Sequence, residues 1–221
     1  MSRNGFLDTG VVIAFCFLLD SHHQNCKEYL GEMQEEGDSL YVSSEVEEEY
    51  SRKKSEIAEK LSEQVLEHRD FVTGFVDGRQ MGPVEINEIQ KNLRRWDEDA
   101  STFLIDYYDK KGNFAGKEEV LEELRNLSRE IEKKAIERKS AVDSATVEWE
   151  KRDEYPELRS LLSVIHGSDR DICIMAHDLA CHADGQTEFA TTNPRDFVDD
   201  GRERLILENT EIDRVVDLAQ R

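Results

Sequence analysis

Asp8, Asp171 and Asp196 stand out by position rather than by type, and beside them stands an acidic run of Glu45, Glu47, Glu48 and Glu49. Asp8 closes the apolar pair Phe6-Leu7 and is followed by Thr9-Gly10. Asp171 opens the apolar run Ile172-Cys173-Ile174-Met175-Ala176. Asp196 follows the turn residues Asn193-Pro194. Each has an ordinary explanation when taken alone; a carboxylate at Asp171 suits the positive end of a helix. Together they are a different object. Clustered carboxylates repel and raise one another's pKa unless a cation sits among them. Their all-oxygen donor set suits Mg2+ or Mn2+, held by one or two direct carboxylates with others acting through water. Such an ion neutralises phosphate charge and lowers the pKa of an attacking water. Thr9 and Thr191 or Thr192 would orient the carboxylates or a bound water. Asn193 would add only a neutral amide oxygen. No His or Lys base is needed for this chemistry.

The elements that must position these acids follow from periodicity. Ile172, Met175, Ala176, Leu179, Ala180 and Ala183 recur at three- and four-residue spacing, which predicts a helix. Asp171 directly precedes its apolar run and is therefore preferred to Asp169. Gly185 breaks that helix, and the aromatic, Thr-rich segment Thr187–Thr191 predicts a buried strand. Phe6-Leu7 predicts a strand that delivers Asp8 to a sheet edge. Leu40–Ser44 predicts another, closing on a serine helix cap. These pieces make an α/β fold, in which chemistry gathers beyond the carboxyl ends of the strands.

In order, FLDTGVVIAF, LYVSSEVEEEY, DRDICIMAHDLA and FATTNPRDF resemble the PIN domain family of metal-dependent ribonucleases. The resemblance covers about residues 5–76 and 160–207. It implies a three-layer fold with a mainly parallel central sheet, and a Mg2+- or Mn2+-dependent endoribonuclease acting on single-stranded or looped RNA. It places the family's first aspartate on Asp8, its helix glutamate on Glu49 and its third acid on Asp171. Glu49 is preferred because Tyr50 supplies the apolar residue that usually follows; Glu45 and Glu48 stay open. Many members have Thr-x-Asp in the last motif, whereas this chain has Thr191-Thr192-Asn193, with Asp196 next. The alternatives are a PIN-fold scaffold without catalysis, with Asn193 recording an impaired site, and a toxin nuclease held by an antitoxin. The long insertion described below argues against the compact toxin.

The chain has 221 residues, enough for one large domain or one domain with an elaboration. Its 50 acidic and 29 basic residues give a net charge of −21. That opposes nonspecific nucleic-acid binding unless the repulsion is screened or overcome locally. Two readings compete: a halophilic surface that stays soluble at high salt, of the kind archaeal proteins from salt-rich cytoplasm carry, and an acidic face for a basic partner. The first is favoured. Val11–Leu19 is too short to span a bilayer, so the expectation is a cytoplasmic protein with no membrane partner. Cys16, Cys26, Cys173 and Cys181 show no CxxC spacing and would be reduced thiols. His22, His23 and Cys26, with His177, Cys181 and His182, have spacing compatible with a zinc site, but small core residues and exposed histidines explain them better.

Val46, Tyr50, Ile57, Leu61 and Val65 trace a helical stripe. Gly74, Gly78 and Gly82-Pro83 then mark the strongest break. Beyond it lie two further seams. Ile86, Ile89, Leu93, Trp96, Ala100, Phe103 and Tyr107 form the first, and Val120, Leu124, Leu127, Ile131, Val142, Ala145 and Trp149 the second. They predict an antiparallel helical hairpin at 77–159, inserted into a discontinuous domain of residues 1–76 and 160–221. Trp96, Phe103, Tyr107 and Trp149 read as seam residues before they read as base-stacking platforms. Arg94-Arg95 and Lys110-Lys111 are its compact basic dipeptides. Dimerisation through the hairpin stays open.

Overall fold

The computed structural model describes residues 2–76 and 78–220. The first half runs β1 (Arg3–Leu7), α1 (Thr9–Cys16), α2 (His23–Glu35), β2 (Ser39–Ser43), α3 (Ser44–Phe75), β3 (Gln80–Met81), α4 (Pro83–Leu93) and α5 (Ser101–Lys111). The second runs β4 (Ala115–Gly116), α6 (Lys117–Ala145), β5 (Thr146–Trp149), α7 (Pro156–Leu161), α8 (Gly167–His182), β6 (Gln186–Thr191), α9 (Pro194–Phe197), a 3-10 turn (Asp199–Gly201), α10 (Arg202–Asn209) and β7 (Arg214–Asp217).

The main sheet has the order β5-β2-β1-β6-β7, and each of its pairings is parallel. Successive strand residues point to opposite faces. Because Gly5, Phe6 and Leu7 in β1, and Phe189, Ala190 and Thr191 in β6, are all buried, helices must cover both faces. The architecture is α/β with a mostly parallel sheet, consistent with three layers. From β1 the chain moves to β2 on one side, and β6 later fills the other. Asp8 and Thr191 therefore finish neighbouring strands where the strand order reverses, the usual position of a ligand crevice in an open α/β sheet.

α1 follows β1 with no intervening loop, so the apolar run after Asp8 is a helix packed in the core. Ser43 ends β2 and caps α3 through its hydroxyl, which accepts from Val46 N. The α8 helix is buried almost all round from Ile172 to Leu179. No described helix is long and apolar enough to cross a membrane.

Within residues 78–159, α5 and the start of α6 meet across the turn, Tyr107 Oη donating to Glu123 and Lys111 Nζ lying 2.8 Å from it, while the rest of α6 packs on other elements. The long helix α6 runs antiparallel along α3. Lys139 Nζ lies 2.6 Å from Glu47, Ser55 bonds Glu132, and Lys117 Nζ donates to the Thr73 carbonyl at 2.9 Å. The α4 and α5 helices pack on each other, closed off by the small β3–β4 ladder. β5, which continues directly from α6, pairs with β2 and forms an edge of the main sheet. The end of the second seam thus belongs to the sheet: Trp149 meets Tyr41 edge-to-face at 5.9 Å.

Candidate functional site

Asp8 is brought to the end of the sheet by its own backbone, which donates to the Ala190 carbonyl at 3.0 Å. It stands at the N-cap position of α1, yet its carboxylate makes no capping bond. Instead Oδ2 accepts from Thr191 Oγ1 at 2.9 Å, and Thr191 Oγ1 itself accepts from Asn193 N at 2.9 Å. Burial pushes the Asp8 carboxyl up to about 7; the Thr191 bond pulls it down, while the charges of Asp169 and Glu49 push it further up.

Glu49 comes from the second turn of α3 and is buried, whereas Glu48 is exposed, Glu45 bonds the Ser44 hydroxyl at the surface, and Glu47 pairs with Lys139. Thr9 Oγ1 donates to Glu49 Oε2 at 2.8 Å, and Lys53 Nζ lies 2.5 Å from Oε1. Burial alone would raise this carboxyl, but the Lys53 and Thr9 bonds outweigh it and hold it below the ordinary value.

Asp171 lies elsewhere. It pairs with Arg159 at 2.7 Å, on the side of α8 that faces the α7 segment. Two residues along a helix are about 200° apart, so Asp169 and Asp171 point to opposite sides. Asp169 is the acid that joins the others. Burial pushes it to about 6, reinforced by the charges of Asp196 and Glu49 and relieved in part by Lys53 and His166. Sequence reasoning preferred Asp171 because it directly precedes the apolar run. The signal was present in the i, i+3, i+4 alignment of Asp169 with Ile172 and Cys173, both fully buried.

Asp196 lies in α9, where Asn193 Nδ2 donates to its Oδ2 at 2.8 Å. Asn193 therefore holds Asp196 by donating through its amide nitrogen. Thr192 packs against Gly10: a Cβ at that glycine would collide with the Thr192 hydroxyl, and it would lie 3.5 Å from Asp8 Oδ2. Gly10 thus keeps α1 and the β6 turn close enough for Asp8 and Thr191 to meet.

Asp8, Glu49, Asp169 and Asp196 lie near enough for their charges to act on one another, with Thr9, Thr191 and Asn193 holding three of them. The donor set is all oxygen and anionic, which fits a hard divalent cation. It is also open. Among the described residues, the group of three potential ligand atoms lying within 4.8 Å of one another is a different one, Asp153, Asp178 and His182. An open set suits an ion that keeps several waters of its own.

The tighter group is already satisfied. Asp178 Oδ2 accepts from Trp149 Nε1 at 2.8 Å and Arg152 N at 3.0 Å, and Oδ1 from Asp153 N at 3.0 Å and Tyr155 Oη at 2.9 Å. Those bonds use the lone-pair sites of the carboxylate. They overcome the burial that would raise its pKa and hold it below the usual range. His182 Nδ1 lies 2.8 Å from the Asp178 carbonyl, and Nε2 lies 3.1 Å from Asp153. The histidine–cysteine triplets form no joint site among the described residues: His23 bonds the Ala14 carbonyl, and His177 Nδ1 accepts from Glu211 N.

Comparisons with family models, curated proteins and solved structures returned no match.

Proposed function

We propose that this chain is a Mg2+- or Mn2+-dependent endoribonuclease whose cation is held by Asp8 and Asp169, with Glu49 and Asp196 contributing directly or through water. The observation that carries this reading is the mutual charge effect among these four carboxylates, Asp8 standing at the carboxyl end of β1 against Thr191 of β6, with Lys53 as their one paired cation among the described residues. Such crowding is costly in a metal-free protein and is relieved by a cation. When bound, a divalent ion supplies phosphate neutralisation and an acidified water. The chain's own residues do the positioning. Thr191 fixes the rotamer of Asp8, Thr9 fixes Glu49, and Asn193 fixes Asp196. Asp169 replaces Asp171 in this reading, since Asp171 is engaged by Arg159. The RNA substrate comes from the resemblance of the four motifs to PIN domains.

A second reading is a PIN-like scaffold without catalysis, its partner a protein. The observation in its favour is that Lys53 already neutralises Glu49. One experiment separates the two. Purified chain is incubated with a structured RNA carrying single-stranded loops, with Mg2+, with Mn2+ and with chelator. Cleavage that needs metal and disappears in Asp8→Asn supports the nuclease. Absence of cleavage under all conditions, with folded protein, supports the scaffold.

A further inference from the structure

Lys53 has no place in the donor set, yet it is the cation within ion-pair distance of a cluster acid: none of Asp8, Asp169 and Asp196 has such a partner among the described residues. It lies one helical turn beyond Glu49 on α3, in the favourable order with the glutamate N-terminal to the lysine. The two members of the pair are unequally anchored. The Glu49 side chain is only 8% exposed and is tied from its other oxygen by Thr9, whereas the Lys53 side chain is 46% exposed. A lysine stem of that kind can keep its methylenes on the helix and swing its ammonium into water at little cost. Glu49 cannot follow.

We infer that Lys53 is a built-in counter-ion of the carboxylate cluster, which a divalent cation must displace from Glu49 Oε1 to bind, so that Lys53 sets the metal affinity of the site. This rests on the metal-site reading above and deepens it. In the metal-free protein the ammonium offsets part of the repulsion among Asp8, Glu49, Asp169 and Asp196. When an ion enters, that same positive charge opposes it. Lys53 is thus a positioning residue that trades affinity for an intact empty site.

The test is Mn2+ binding, measured by calorimetry and by loss of the free-ion paramagnetic signal, in metal-depleted full-length protein. Lys53→Met is expected to bind Mn2+ about tenfold more tightly, the order of effect of removing one nearby positive charge from a divalent site in a solvated setting. Its metal-free melting temperature should fall and recover on adding Mn2+. Lys53→Arg, which keeps the charge, should bind like the wild type. Asp8→Asn should abolish binding. If Lys53→Met binds as the wild type does, or more weakly, while Asp8→Asn abolishes binding, the counter-ion role is wrong and the metal site stands. If Mn2+ binds none of these proteins, the metal site itself is overturned, and the role of Lys53 with it.

Discussion

Asp8 and Asp178 are both buried aspartates, and the chain treats them in opposite ways. Asp178 faces Trp149, Tyr155 and the backbone of the 152–153 turn, accepts four hydrogen bonds, and is held ionised. Asp8 receives one side-chain hydroxyl, faces other carboxylates, and is pushed up to about 7. A carboxylate whose lone pairs are filled by fixed donors is an architectural part, here pinning the chain between β5 and α7 onto α8. A carboxylate buried among like charges is unfavourable for folding when ionised. The difference teaches that the proximity of acids says little about how a buried carboxylate is satisfied. The Asp178 carboxylate has its lone pairs filled by four donors, and the Asp8 carboxylate accepts from one side-chain hydroxyl.

The comparison breaks most visibly at Asp178. Asp178→Ala would strand the Trp149 and Tyr155 donors and two backbone N–H groups, so a loss of about 3–5 kcal/mol is expected in urea unfolding. Asp8→Asn should cost little stability at pH 7 and raise it if anything. Equal losses from both would show that the two aspartates play one role.

Cleavage should divide the acids along the other axis. Asp8→Asn and Asp169→Asn are each expected to lower metal-dependent RNA cleavage by about 100-fold or more, about 2.7 kcal/mol in barrier. Asp171→Asn should leave it within a few-fold, because Asp171 holds Arg159 instead. The reverse pattern, loss in Asp171→Asn with full activity in Asp169→Asn, would put the site on the other face of α8.

These contrasts also show what could be read from the residues alone. Local signals gave β1 with Asp8 at its end, a strand at Leu40–Ser44 closing on a serine cap, and β6 leading to Thr191. Each depends on a few adjacent side chains. The choice between Asp169 and Asp171 depends on rotation about α8, and a helix buried on nearly every side has no polar face to reveal it. β5 was illegible for a different reason. Its four residues continue the seam of α6, and only pairing with β2, about a hundred residues earlier, makes them a strand. Most of α6 likewise runs along α3, and only its first turns meet α5, where Tyr107 and Lys111 bond Glu123. Excising residues 83–156 would therefore remove a sheet edge and a core helix.

Titration should separate Asp8 from Asp178 by sign. The folded pKa of Asp8 lies above its unfolded value of about 3.9, so between about pH 4 and 7 the native state holds more protons than the unfolded chain. Its contribution to stability is then lost as pH rises through that window. Asp178 is depressed, so its contribution is present above about pH 4 and is lost as pH falls through the folded value. In metal-free buffer, the stability of Asp8→Asn relative to wild type should grow by up to about 1.4 kcal/mol per pH unit from pH 4 to 7, then level off. A flat difference across that range would mean that Asp8 is not under the strain its surroundings imply.

The smallest effect is the sharpest test of how the site is built, and it lies at Asn193. Were Asn193 a lapsed metal ligand, as the resemblance of its motif to PIN domains would have it, Asn193→Asp would restore a charge and strengthen both metal binding and cleavage. The geometry argues for the opposite result. The Asn193 amide donates to Asp196 Oδ2 at 2.8 Å, and its backbone N–H holds Thr191, which in turn holds Asp8. An aspartate there keeps the backbone bond but loses the side-chain donor, and it sets a second negative charge against Asp196. In the metal-free protein that substitution should cost about 1 kcal/mol, and cleavage at saturating Mg2+ should fall by less than about tenfold, since Asp8 and Asp169 remain in place. Asn193→Ser, a short donor without the charge, should lie between the two. Metal titration and thermal melts on the three proteins decide the matter. If Asn193→Asp gains Mg2+ affinity and activity together, Asn193 is a vacant ligand position and the clamp on Asp196 is incidental.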